Sequence, residues 1–145
     1  MPAKAVLDAS ALVALVHGEN GHTTVRRIIE AGFAVTTPTG LAEALNTARR
    51  KGYQGTREEL RDDLAELGLK VEPIVEEDAA EMAFLLGRSA DLGAAGGKHA
   101  AKLGSLSLGD AACLAVARRL GIPAVCSHGT WELLDVSGLR VMPFR

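Results

Sequence analysis

The stretch SLSLGDAACLAVARRLGIPAVC, Ser105 to Cys126, decides how the chain is read. From Ala111 to Ala117 it is apolar on nearly every side, so a helix there has no face to give to water and must be buried. Gly121 and Pro123 stop that helix, and Pro123 to Cys126 reads as a short strand. A buried helix feeding directly into a strand is the unit from which α/β sandwiches are built.

The same alternation extends outward in both directions. Lys4 to Asp8 reads as a strand, and Ala9 to His17 as a mostly apolar helix ending near Gly18. Asn20 to Ala31 follows as a helix with Val25, Ile28 and Ile29 on one side and Arg26, Arg27 and Glu30 on the other. Phe33 to Thr36 is the next strand. Thr37-Pro38-Thr39 opens a helix to about Arg50, with proline in its expected place near the first turn. Thr56 and Glu59 have capping-box spacing before a helix that ends at Gly68. Leu69 to Val75 is expected as a strand, and Glu76 to about Ser89 as a helix with Ala79, Met82, Ala83 and Leu86 inward. Gly93 to Gly104 reads as a mobile loop with one helical turn at Lys98 to Lys102. Beyond Cys126, Trp131 to Leu134 reads as a helical turn and Leu139 to Met142 as a last edge strand. No internal repeat or linker interrupts residues 1–145, which are expected to form a single domain. The order implies a mostly parallel five-stranded sheet flanked by helices on both faces. Ligands of such sheets bind beyond the carboxyl ends of the strands, so polar residues that end strands or open helices carry the interest.

Composition narrows the function classes. Of 145 residues, 48% are hydrophobic and 23% charged, as in a soluble globular chain. A net charge of −2 excludes a global basic signature, so any nucleic-acid site must be a local patch. Cys113 and Cys126 lie in apolar runs without metal or redox spacing and read as reduced core thiols. No secretory leader is evident, no apolar run approaches the ~18 residues of a membrane span, and the cytoplasm is the expected location.

Three acids sit at the expected positions. Asp8 ends the first strand and opens the first helix, where it could simply be an N-cap. Asp110 follows Ser107 at capping spacing, yet it stands at the mouth of a buried helix, where a carboxylate needs a cation, hydrogen bonds or a function. Glu43 shares a helix face with Asn46, Thr47 and Arg50, a pattern that a solvated face also explains. An open α/β sheet brings all three to one rim, and carboxylates that close cannot all stay ionised without a cation. Oxygen donors of this kind suit Mg²⁺ or Mn²⁺, and such sites serve phosphoryl transfer.

VLDASAL, TPTGLAEALNTARRKG, LSLGDAACLAVARRLGIP and VCSHGTW, in that order over essentially the whole chain, resemble a PIN-domain nuclease of the VapC toxin type. The LSLGD block is the most specific of the four. The resemblance implies a PIN-like three-layer sandwich and a cluster of four acids binding Mg²⁺ or Mn²⁺. It also implies endonucleolytic cleavage of RNA, often structured RNA such as tRNA, inhibition by a cognate antitoxin, and a homodimer. Asp8, Glu43 and Asp110 match the first three acids, and Ser10 matches a hydroxyl that often accompanies the first.

The fourth position departs from the pattern. His128 stands three residues before Trp131, where the family has an acid. It could contribute a nitrogen ligand, which suits Mn²⁺ better than Mg²⁺, act in acid–base or phosphate contact, or be a bystander. Glu132, Asp135 and Asp91 could replace the missing acid, but none occupies the matching position. Two basic groups are expected to flank the rim and meet RNA phosphates, Arg49, Arg50 and Lys51 in one, Lys98 and Lys102 in the other. Arg118 and Arg119 read as cations favouring a helix C-terminus. With 3% aromatic residues, recognition through shape and backbone is expected over base stacking. A binding module without activity is the rival reading. A haloacid-dehalogenase phosphatase would need DxDx[TV] where this chain has DAS, and a response-regulator receiver would need an acid pair there.

Overall fold

The computed structural model describes residues 3–127 and 129–145. Five short strands, β1 (Ala5–Leu7), β2 (Ala34–Thr36), β3 (Lys70–Val71), β4 (Ala124–Cys126) and β5 (Val141–Pro143), form one sheet. Their order is β3-β2-β1-β4-β5. Every neighbouring pair is parallel, the last strand included. The 3-10 turn Gly129–Leu134 and the chain after it supply the crossover that a parallel partner for β4 requires.

Among the described residues seven helices cover the sheet: α1 (Ala9–His17), α2 (His22–Glu30), α3 (Pro38–Arg50), α4 (Arg57–Leu67), α5 (Glu76–Ala95), α6 (Ala100–Leu103) and α7 (Leu108–Leu120). The period of two along each strand divides the core. Ala5, Leu7, Ala34 and Val125 face one apolar cluster with α1 to α4. Val6, Val35, Ala124 and Cys126 face the other, with α5, α6, α7 and Trp131. The result is a three-layer sandwich. Ala111 to Ala117 are all buried, as an apolar helix with no polar side must be.

Four expectations need correction. Strand β3 has two residues instead of reaching Val75, because Pro73 has no N–H to continue the ladder and both residues lie exposed at the edge. Helix α5 runs to Ala95 and buries Asp78, Leu85 and Ser89. Ala79 and Ala83 are exposed, while Met82 and Leu86 are half-buried. Asp78, on the buried face, accepts from Arg119 Nε at 2.9 Å and Nη2 at 3.2 Å. Arg118 and Arg119 therefore pin α7 to α5 through Glu81 and Asp78, a larger role than favouring a dipole. The glycine-rich segment is packed at its two ends, while residues 94–99 between them are exposed. A Cβ on Gly93 would stand 2.8 Å from Gly104 Cα, so the two glycines allow α5 and α6 to meet closely. Among the described residues no helix is long and apolar enough to cross a membrane.

Candidate functional site

The chain order reverses between β1 and β4, whose neighbours β2 and β5 lie on opposite sides, so their carboxyl ends mark the switch point of the sheet. Asp8 directly follows β1. It caps α1, its Oδ1 accepting from Ala11 N–H at 2.9 Å and from the Ser10 hydroxyl at 2.6 Å. The Cys126 thiol, at the end of β4, also donates to Asp8. Burial pushes the Asp8 carboxyl above its ordinary range, the Ser10 and Ala11 donors oppose this, and Asp110 adds to the rise.

Glu43 is carried by α3, whose start is fixed by two fully buried threonines. Thr36 Oγ1 donates to Leu7 O at 2.8 Å and ties β2 to β1, while Thr37 Oγ1 accepts from Gly40 N–H at 3.0 Å as the N-cap. One turn further, the Glu43 carboxylate lies against Gly109, where an added Cβ would collide with it. The residue is exposed over most of its length, but this seat desolvates its acid end. Desolvation raises the Glu43 carboxyl first, followed by the charges of Asp110 and Asp8.

Asp110 occupies the first turn of α7 in a reciprocal capping box. Its N–H donates to Ser107 Oγ at 3.0 Å, and Ser107 N–H donates to its Oδ2 at 3.2 Å. The capping geometry considered for Asp8 and Asp110 is thus present, and it coexists with their convergence. The buried Cys113 thiol registers all three acids: burial raises it most, followed by Asp8, Asp110 and Glu43. Among the described residues none of the three carboxylates is ion-paired.

An oxygen donor set with uncompensated negative charge fits a hard divalent cation in kind and in charge. Among the described residues, however, no three His, Cys, Asp or Glu side chains are drawn together tightly enough to hold an ion as they stand.

The sequence matches the PIN domain model over residues 5–131, most of the chain. The chain belongs to the PIN domain family. Solved structures agree in fold at low identity. Mycobacterium tuberculosis VapC20, a sarcin–ricin loop cleaving toxin, has a TM-score of 0.66 and 19% identity over 94% of this chain and 99% of its own. The DNA-bound VapBC of Salmonella typhimurium gives 0.64 and 14% over 99% of each chain. VapBC2 of Rickettsia felis, bound to a fragment of its promoter, gives 0.63 and 12% over 99% and 98%. No curated protein matches the chain by sequence.

Of the residues expected at this site, Asp8, Glu43 and Asp110 lie near enough for their charges to act on one another, and Ser10 bonds to Asp8. His128 lies outside the described residues, so its three readings are not decided by geometry. Glu132, Asp135 and Asp91 are exposed. The basic residues divide. Arg49 donates through Nη1 to Tyr53 O at 3.2 Å and Gly55 O at 2.7 Å, so it holds the loop after α3. Lys51 pairs with Glu19 at 2.9 Å. Lys102 Nζ lies 5.0 Å from the centre of the buried Trp131 ring. Arg50 and Lys98 are exposed and make no ion pair among the described residues.

Three contributors escaped sequence reasoning: the Cys126 thiol on Asp8, the Thr36 hydroxyl that ties β2 to β1, and Gly109 under Glu43. Gly109 left a signal. Glycine near the start of an otherwise strong helix costs about 1 kcal/mol relative to alanine, which calls for a close approach.

Proposed function

We propose that this PIN domain is a metal-dependent endoribonuclease toxin of the VapC kind, hydrolysing phosphodiester bonds in structured RNA and held inactive by a cognate antitoxin chain. It acts in the cytoplasm as a homodimer, with residues 1–145 as one domain. The observation that carries the reading is the convergence of Asp8, Glu43 and Asp110 at the switch point, where Asp8 and Glu43 are both held above their ordinary pKa by burial and by neighbouring acids. Repulsion between unpaired carboxylates favours a bound cation.

Asp8, Glu43 and Asp110 would hold Mg²⁺ or Mn²⁺. Bound there, the ion would supply an activated water and charge stabilisation for the leaving oxygen. The chain's own contribution is positioning. Ser10 and Ala11 fix one oxygen of Asp8, Cys126 donates to the same carboxylate, and Gly109 seats Glu43. Asp8 and Asp110 each cap the N-terminus of a helix, α1 and α7, which fixes where their carboxylates stand.

The likeness to VapC20 and to VapBC complexes supports the choice of an RNA substrate and an antitoxin partner. Incubation of the purified chain with a labelled stem–loop RNA in Mg²⁺, Mn²⁺ or EDTA tests the reading. Cleavage is expected with metal and not with EDTA. Absence of cleavage with either metal, by a chain that still binds its antitoxin, would reduce the protein to a binding module in which His128 has replaced the fourth acid.

A further inference from the structure

A second feature adjoins the acid site on the α1–α3 side. A groove of about 260 Å³ is lined by Ala9, Ser10, Val13, Glu19, Thr47, Lys51 and Arg145. One end neighbours the acids: its lining residue Ser10 donates to Asp8, and Thr47 lies one turn beyond Glu43 on the same helix. The other end holds two cations from distant parts of the sequence. Lys51 closes α3, and Arg145 arrives from beyond β5. Both converge on Glu19, Lys51 at 2.9 Å and Arg145 at 3.7 Å.

Backbone packing fixes this convergence. Gly21 has φ +88° and lies directly under Phe144, where a Cβ would collide with the Phe144 carbonyl. Phe144 is buried, and the Arg145 guanidinium stacks 5.0 Å from its ring centre. The side chain is therefore held over the groove. The side chains of Lys51 and Arg145 carry one charge more than the Glu19 carboxylate neutralises. The acid site has the opposite excess, since none of its three carboxylates is ion-paired among the described residues. A groove with two hydroxyl side chains, surplus positive charge at its far end and an acidic site at its mouth suits a polyanion that spans both.

We infer that this groove is a phosphate subsite, in which Lys51 and Arg145 hold the RNA backbone phosphate next to the one at the acids. Glu19 is a built-in competitor: it keeps the two cations in place and yields them to the phosphate. The subsite rests on the ribonuclease reading, and it adds Arg145, Glu19 and Thr47 to the residues that reading uses.

Binding of a fluorescein-labelled stem–loop RNA, followed by polarisation in EDTA across a salt series, tests the subsite separately from cleavage. Lys51→Ala and Arg145→Ala should each weaken binding about fivefold or more and reduce the slope of log K against log salt by roughly 0.7–0.9. Glu19→Gln should tighten binding, an effect that a folding defect cannot imitate. Arg26→Ala, which breaks an exposed pair with Glu30 on α2, should match the wild type. Lys51→Gln keeps the aliphatic stem and should behave like Lys51→Ala. Wild-type affinity and slope in the Lys51 and Arg145 variants, or weaker binding by Glu19→Gln, would overturn the subsite even if the protein cleaves RNA. A wild-type chain that neither binds nor cleaves RNA with Mg²⁺ or Mn²⁺ would overturn the ribonuclease reading, and the subsite with it.

Discussion

The carboxylate of Glu43 rests on the α-carbon of Gly109, with no space between them for a β-carbon. Helix α3 thereby meets the first turn of α7, and the second acid is set beside the third. Gly109→Ala should separate two effects. Alanine is the better helix former by about 1 kcal/mol, so thermal stability should hold or rise. Displacement of Glu43 should lower RNA cleavage by about a hundredfold, the scale expected for a misplacement of roughly 1 Å. Cleavage kinetics beside a thermal melt read both, and undiminished cleavage would remove Gly109 from the account.

Asp8 gives a pH prediction of definite sign. Burial and the charge of Asp110 place its folded-state pKa above the ordinary value of 3.8, so the folded protein holds a proton that the unfolded chain has lost. Stability therefore falls as pH rises through that window. Asp8→Asn keeps an N-cap oxygen but not the charge. In metal-free buffer at neutral pH its Tm should exceed the wild type by roughly 2–5 °C, and the advantage should vanish below the ordinary Asp pKa. Added Mn²⁺ should raise the Tm of the wild type and leave that of Asp8→Asn nearly unchanged. Calorimetry over a pH series shows each effect, and a lower Tm for Asp8→Asn at neutral pH would contradict the account.

Asp78 has the opposite sign. Burial raises its carboxyl, but hydrogen bonds from Arg119 and Val75 N–H outweigh that and leave it below 3.8. The stability it contributes is present above the unfolded pKa and is lost as pH falls through the depressed one. Arg119→Ala leaves a buried carboxylate without its partner and should cost about 3 kcal/mol at neutral pH. Urea melts at neutral and strongly acidic pH should show that difference narrow in acid.

His128→Asp restores the acid that the family places before Trp131. If the imidazole substitutes for a ligand, the variant should gain Mg²⁺-supported cleavage several-fold and lose any preference for Mn²⁺. Equal rates for both proteins with both metals would make His128 a bystander.

Local chemistry explains which features the sequence disclosed. The buried helix α7, the strand ends at Leu7 and Thr36, and the caps at Asp8, Thr37, Thr56 and Ser107 each depend on residues a few positions apart. What escaped depends on distant partners. Asp78 is buried on α5 in a pair with Arg119, 41 positions along the chain, and no apolar period encodes that. Gly93 reads as a helix breaker until Gly104 is packed against it. The acids were legible because strand-to-helix junctions carry them. The thiol of Cys126 was not, since an apolar strand gives no sign that its last residue faces Asp8.

Asp110 carries two readings at once, as the capping partner of Ser107 and as an acid of the site, and separating them tests the central claim. The decisive measurement is Mn²⁺-supported cleavage of a labelled stem–loop RNA by Asp110→Asn and Ser107→Ala, each with its Tm. Ser107→Ala should lose about 1 kcal/mol of stability with the cap and still cleave. Asp110→Asn should remain close to the wild type in Tm and lose cleavage by about a hundredfold or more. Wild-type cleavage by Asp110→Asn, with only the stability loss of a weakened cap, would contradict the claim that the rim acids form one catalytic site.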